Sequence, residues 1–274
     1  MKIDVILLTK NSERLLEECL TSIYREIPVC HLINVDGFST DRTPEIVGRF
    51  EQDYKNTKGI KTEARHGKAR EIGIKNVDTD WFVFIDSDVI LRQDWFKKIL
   101  VHIKEEDKQI GAVESNFIHH YPEGTPKFPE FEHVVDGKRV DPRALTIVTL
   151  IKKEAVEDIT IPDDLPIYED EFIKRWIESK GFAWIKVVDP IIDHFPTPKP
   201  FKDAYLMGIY SIRYNLLPAW RIVIVSCLFP LKFFYFLFRT RSFAASLNSV
   251  ILSFFMLRGL IEEVLGISSD EKSW

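Results

Sequence analysis

Cysteine is scarce in this chain: Cys19, Cys30 and Cys227 are the only three in 274 residues, far apart and in no metal-ligand spacing. An odd number cannot all pair within one chain, so no disulfide framework is expected and a reducing compartment is. A basic surplus is also missing. Lys and Arg number 37 against 42 Asp and Glu, a net charge of −5, which argues against a protein that coats nucleic acid, and no nucleic-acid partner is expected. No apolar run of signal-peptide length opens the sequence; residues 3–8 are too short for one and read as a buried strand, so a cytoplasmic start is expected. Internal repeats and low-complexity tracts are absent. What remains is 45% apolar and 29% charged, enough to bury a proper core.

The charge is unevenly spread. From Lys199 to Arg258 there are eight basic residues and only Asp203 acidic, a local +7, so the rest of the chain carries −12. The first part alternates strand and helix signals. Residues 3–8 lead into Thr9-Lys10-Asn11-Ser12, with Ser12 expected to cap a helix carrying Leu15, Leu16, Cys19, Leu20 and Ile23. A second strand over residues 30–36 ends in Asp36-Gly37-Phe38-Ser39-Thr40-Asp41-Arg42-Thr43, and Pro44 fits the first turn of a helix running to about Tyr54. A weak strand near Ile60, a helix around residues 68–76, an apolar strand over 81–85 stopping at Asp86-Ser87-Asp88, and a helix marked by Trp95, Phe96, Ile99, Leu100 and Ile103 follow. This order predicts an α/β fold with a doubly wound, mostly parallel sheet, its ligand site outside the carboxyl ends of the strands.

Residues 116–143, with four prolines and His119-His120, read as a long loop of functional or mobile character. Residues 146–151 read as a strand, 169–180 as a helix ended by Gly181, and 182–188 as another strand. From Pro198 the composition turns apolar. Residues 205–214 predict an amphipathic helix. Residues 222–238 are apolar except for Ser226, Pro230 and Lys232, Arg239-Thr240-Arg241 follows, and 243–257 are apolar again. At 1.5 Å per residue these two stretches reach about 25 Å and about 22 Å, short of the roughly 30 Å hydrocarbon core. A spanning hairpin would also carry Arg239 and Arg241 away from a cytosolic body, against the positive-inside tendency. In-plane or re-entrant helices on a membrane surface are therefore expected, with a buried helical hairpin as the alternative.

Asp86 and Asp88, at i and i+2 after an apolar strand, point the same way and can share a divalent cation. Lys68 and Arg70 on the preceding helix are candidates to meet a diphosphate. Glu169, Asp170 and Glu171 open a helix, where an acidic first turn complementing the dipole is the plain alternative to a catalytic role.

In this order the motifs resemble the inverting family 2 glycosyltransferases of GT-A fold, over roughly residues 2–195. Val35-Asp36-Gly37-Phe38-Ser39-Thr40-Asp41-Arg42-Thr43 is similar to their Val-Asp-Asp-Gly-Ser-Thr-Asp-Gly-Thr, with Gly37 replacing the second Asp. Gly67-Lys68-Ala69-Arg70-Glu71 resembles their Gly-x-x-x-Ala-Arg-Asn, Asp86-Ser87-Asp88 their Asp-x-Asp, and Tyr168-Glu169-Asp170 their Glu-Asp. The resemblance implies a catalytic domain over 1–198, with a nucleotide-sugar half to about 115 and an acceptor half after it; the apolar, basic composition beyond it reads as membrane-associating helices over 199–274. The resemblance implies Asp170 as catalytic base. It implies Thr9, Asn11, Asp36, Lys68, Arg70 and Asp86 around the nucleotide sugar, and Asp86, Asp88 and His194 around a divalent cation, Mn or Mg. The implied partners are a UDP- or GDP-linked donor, a lipid or lipid-linked acceptor and the cytoplasmic face of the cell membrane. Two rivals stand beside this: phosphoryl transfer with Asp86 as nucleophile, and a catalytically dead membrane scaffold.

Overall fold

The structure, a computed structural model, describes residues 1–103, 109–123, 133–135, 138–140, 144–197, 200–216 and 218–268. It divides into two compact units, one of residues 1–120, 132–165 and 169–196, the other of residues 121–131, 166–168 and 197–274.

The first unit is built on β1 (Ile3–Thr9), α1 (Leu16–Glu26), β2 (Val29–Asp36), α2 (Thr43–Tyr54), β3 (Thr57–Lys61), α3 (His66–Ile74), β4 (Trp81–Asp86), β5 (Val89–Leu91), α4 (Trp95–His102) and β6 (Ile110–His119). It continues through a hairpin, β7 (His133–Val135) with β8 (Lys138–Val140), then β9 (Val148–Lys152), α5 (Glu169–Ser179) and β10 (Ala183–His194). Eight strands form one sheet in the order β3-β2-β1-β4-β9-β6-β10-β5. Side chains alternate across β1: Val5 and Leu7 share one buried cluster with Leu16, Cys19, Leu20 and Ile23 of α1 and Trp95 and Ile99 of α4. Ile6 points to the other side, under α3, where a Cβ on Gly73 would stand 2.6 Å from Ile6 Cγ2. That close approach seats α3, and with it Arg70, against the sheet. Each fully buried aliphatic side chain of this kind contributes about 1.5–3 kcal/mol.

The sheet has the expected parallel majority, with four of its seven neighbouring pairs parallel, but it is mixed: β9 is antiparallel to both β4 and β6, and β5 is antiparallel to β10. Strand direction is set by how the chain returns from the long excursion after β6, which local periodicity does not encode. Ser12 does not cap α1, which starts at Leu16 with no side-chain cap; its hydroxyl instead accepts from the Lys10 amide at 3.2 Å and from Ser87 Oγ at 2.9 Å. Part of the expected loop over 116–143 is strand, because β6 continues to His119 alongside β10. Residues 124–132, 136–137 and 141–143 of that stretch lie outside the described residues. The helix expected to end at Gly181 does so, with Gly181 in the left-handed region at φ 83°.

The second unit contains α6 (Pro200–Arg213), α7 (Ala219–Cys227), α8 (Phe229–Thr240) and α9 (Phe243–Val264). The apolar stretch over 222–238 is two helices, not one, because the chain turns at Leu228 and Pro230 opens the second. α6 and α9 cross closely. A Cβ at Gly208 would stand 2.0 Å from the Met256 carbonyl oxygen, and one at Gly259 2.1 Å from that of Tyr205, so only glycine fits at either position. α9 is longer than the apolar run ending at Leu257 suggested. Its 22 residues make it, among the described residues, one helix long and apolar enough to cross a membrane, with a third of its apolar window buried against its own unit. Arg258 interrupts the run in sequence but not the helix, and its Nε reaches Glu262 Oε1 at 2.8 Å.

Candidate active site

The carboxyl ends of β2, β1 and β4 lie side by side, and the register pairs Thr9 with Asp36 and Leu8 with Asp86. Asp36 is buried and fully engaged: Thr9 Oγ1 donates to Oδ1 at 2.9 Å, the Ser39 amide to Oδ2 at 2.9 Å, and the Ser39 hydroxyl to Oδ1 at 2.5 Å. Thr9 Oγ1 also accepts from Asn34 Nδ2 at 3.0 Å. Asn11, at φ 50°, laces the first loop to the second, its amide donating to Ser39 Oγ and its Oδ1 accepting from the Thr40 amide, both at 2.9 Å. The β1 and β2 loops are thereby one braced platform.

Asp86 and Asp88 turn out of the β4 end together. Their carboxylates and His194 present ligand atoms all within 4.8 Å of one another, with His194 Nε2 3.3 Å from Asp88 Oδ1. More than a hundred residues separate Asp88 from His194. They meet because β5 pairs antiparallel with β10, placing His194 opposite Val89 and letting the Phe195 amide donate to the Asp88 carbonyl at 2.9 Å. His194 is largely buried, and its Nδ1 is buried without a hydrogen-bond partner. Two hard carboxylates and an imidazole suit a divalent ion such as Mn or Mg. A second cluster, Asp4, Cys30 and His31, lies toward the opposite ends of β1 and β2. There Asp4 is occupied by the backbone amides of His31, Asp78 and Thr79, so its role is structural.

Among the described residues, Arg70 is the one buried Lys or Arg beside these acids. Its Nη2 donates to Asp86 Oδ1 at 3.2 Å, its Nε is 3.6 Å from Glu169 Oε1, and the guanidinium lies 4.9 Å from the Phe84 ring centre. Burial opposes its charge, but Asp86, Asp170 and Glu169 outweigh that and hold its pKa above the ordinary value. Nε and Nη1 are buried and make no hydrogen bond. Leaving such donors unmade is costly, and an anion entering the cleft would satisfy them. Lys68 is not brought to this cluster. Its Nζ sits 3.1 Å from Glu71 and 3.1 Å from Asp163. Residues two apart on a helix do not share a face, so with Arg70 pointing inward Lys68 must point away.

Glu169 and Asp170 turn inward from the start of α5, whereas Glu171 pairs along the helix with Arg175 at 3.1 Å. The acidic first turn is thus split between the site and the helix surface. Burial raises the pKa of Glu169, against the pull of Arg70. Asp170 is pushed up to about 7, by burial first and then by the neighbouring Glu169, with Arg70 and the Thr146 hydroxyl working the other way. Thr146 is fully buried and donates to Asp170 Oδ1. The carbonyl of its neighbour Ile147 accepts from the Asp86 backbone amide at 3.0 Å, so one short segment before β9 is tied to the Asp170 carboxylate and to the backbone of Asp86. Sequence reading missed Thr146, and nothing in the local pattern distinguishes it from any polar residue before a strand.

Residues 4–159 match the sequence profile of Glycosyl transferase family 2. Among curated proteins the chain is 26% identical over 183 residues to the poly(ribitol-phosphate) β-N-acetylglucosaminyltransferase TarS of Staphylococcus aureus, a match covering 62% of this chain and 31% of that protein. The chain thus spans about a third of the length of this relative. The fold is similar to that of a mannosyltransferase from Pyrobaculum calidifontis solved with GDP-mannose and Mn2+, with a TM-score of 0.68, 15% identity and coverage of 97% and 87%. It is also similar to S. aureus TarS 1–349 solved with UDP-GlcNAc, with a TM-score of 0.58, 18% identity and coverage of 98% and 84%. With the profile spanning more than half of the residues and the strand-end motifs meeting at one edge of the sheet, the chain belongs to glycosyl transferase family 2 and has a GT-A-type fold.

Proposed function

We propose that the protein transfers a sugar from a UDP- or GDP-linked donor to a hydroxyl acceptor with inversion at the anomeric carbon. The observation that carries this is the convergence of Asp86, Asp88 and His194 with Arg70 and the raised-pKa Asp170 at the carboxyl edge of the sheet. A divalent cation held by Asp86, Asp88 and His194 would supply charge stabilisation to the departing diphosphate. Arg70, with buried donors to spare, would bind the same diphosphate, while Asp36, Thr9 and Asn11 keep the nucleoside platform rigid. Lys68 is placed to fix Glu71 instead. Asp170, when ionised, would accept the acceptor hydroxyl's proton as that oxygen bonds to the anomeric carbon, and Thr146 aims its carboxylate. A nucleophilic role for Asp86 is disfavoured, because its Oδ1 is engaged by the buried Arg70 guanidinium at 3.2 Å. The name of the TarS relative favours an acceptor on a phosphate-bearing polyol; a lipid-linked acceptor of that kind satisfies both this and the apolar helices. Incubation with a panel of sugar nucleotides and Mn2+ tests the reading: release of nucleoside diphosphate from one of them is expected, and release from none, with or without lipid extract, would sink it.

The second unit supports membrane association. Trp220, Val223 and Ile224 on α7, Leu231, Phe234, Tyr235 and Phe238 on α8, and Phe243, Leu247, Phe254 and Ile261 on α9 are exposed apolar residues at helical spacing, Phe238 being 80% exposed. Helices α7 and α8, with 9 and 12 residues, are too short to cross a bilayer, so an in-plane seat is the favoured reading, with exposed Arg239 and Arg241 toward headgroups. We expect the purified chain to float with vesicles containing anionic lipid, on the cytoplasmic face in cells. Replacing Phe238 by Glu should weaken that binding by roughly 10- to 100-fold, the scale of one buried aromatic side chain. Wild-type protein that stays with the soluble fraction at every lipid composition would refute the membrane reading.

A further inference from the structure

Phe38 is the large apolar residue of the β2 loop that the fold holds outward. Its neighbours are spoken for: the Gly37 amide donates to the Thr9 carbonyl at 2.8 Å, Ser39 is bound to Asp36, and Thr40 to Asn11. Phe38 stands among them at φ 56° with about half its surface exposed. Left-handed backbone is tolerated by Asn, as at Asn11 nearby, but is a real outlier for a bulky aromatic, and folding alone favours glycine at such a position. Exposing a phenyl ring is unfavourable as well. A strained residue that is also exposed, on a loop over-determined by hydrogen bonds, points to function rather than packing.

The position of the loop indicates what the ring faces. In the strand order β2-β1-β4, Asp36 and Asp86 end strands two places apart, about 10 Å at the usual strand spacing. A diphosphate held at Asp86, Asp88 and Arg70 therefore has its nucleoside directed across β1 toward the β2 loop, a span comparable with the reach from a diphosphate over a ribose to its base. We infer that Phe38 is a stacking platform for the nucleobase of the donor, a binding residue for the flat aromatic part of a nucleoside diphosphate. The inference rests on the nucleotide-sugar reading above. It also bears on Gly37, since a base held by its face needs no carboxylate at that position to hold its edge.

Calorimetric titration of the full chain with UDP, GDP and inorganic pyrophosphate, each with Mn2+, tests it. For whichever nucleotide the wild type binds, Phe38→Ala should raise the dissociation constant roughly 5- to 150-fold, the scale of one lost base–aromatic stack, and leave pyrophosphate binding unchanged. Phe38→Gly should show the same selective loss with a raised melting temperature, since glycine relieves the left-handed strain, and so keeps the test valid if the Ala variant folds poorly. Phe38→Trp should retain nucleotide binding and show a fluorescence change with nucleotide but not with pyrophosphate. Nucleotide affinity unchanged in both the Ala and Gly variants, or an equal loss toward pyrophosphate, would overturn the inference. A wild-type protein that binds neither nucleotide nor pyrophosphate would overturn the nucleotide-sugar reading along with it.

Discussion

Replacing Asp88 by Asn is expected to lower transfer by at least roughly 10²- to 10³-fold while leaving the fold intact, the scale set by removing one electrostatic stabiliser of a developing anion. A neutral amide cannot replace the charge of a carboxylate ligand, and His194, across the site at 3.3 Å, would be left with a weaker partner. The fold should not suffer, because the structural link at this position is backbone to backbone, from the Phe195 amide to the Asp88 carbonyl, and survives the substitution. Assays across a Mn2+ titration, paired with thermal unfolding, check both halves. Partial recovery at high metal with an unchanged melting temperature would fit a ligand whose affinity has fallen; full activity in the variant, or in wild type with excess chelator, would remove the cation from the mechanism.

Asp170→Asn should lower the chemical step by roughly 10²- to 10⁴-fold with donor binding little changed, as for loss of a general base. The pH dependence follows from its raised pKa of about 7. A base must be ionised, so wild-type rate should rise with pH through the region of pH 7 and level off above it. A bound cation adds positive charge near Asp86 and Arg70, favours the ionised carboxylate and should move that limb to lower pH. Stability gives a second readout. A carboxylate whose folded pKa lies above its unfolded value of 3.8 penalises folding once pH exceeds the unfolded value, and fully above the folded one. The metal-free Asn variant should accordingly melt higher than wild type at pH 8, with the gain shrinking toward pH 4. A small kinetic effect in Asp170→Asn would point to an acceptor that is already ionised at neutral pH, such as a lipid phosphate, and would take Asp170 out of the chemistry.

The two variants draw on different layers of information. Asp36, Asp86 and Asp88 were legible in the sequence because each follows an apolar strand, and strand ends in an α/β sheet are where ligands gather. Asp170 was legible only through family resemblance, since an acidic first turn is an ordinary feature of helices. The exposed faces of α7 to α9 were foreshadowed by composition, but the length of α9 was not, because a charged residue ends an apolar run without ending a helix.

The sequence by itself determined the alternation of strands and helices, the carboxylates at strand ends and the basic, apolar character of the last quarter, all properties of near neighbours along the chain. The tertiary structure alone decided which of these meet. Helical geometry allows Lys68 or Arg70 to face the site but not both, and packing of α3 on β1 and β2 chose Arg70. The antiparallel ladder of β5 with β10 brought His194 to Asp88, and the segment before β9 brought Thr146 to Asp170. The sheet direction and Phe38's outward, left-handed stance were settled at the same level. Local patterns fix what each residue can do, whereas strand pairing and burial bring residues from distant parts of the chain within bonding distance, and no periodicity of near neighbours records that.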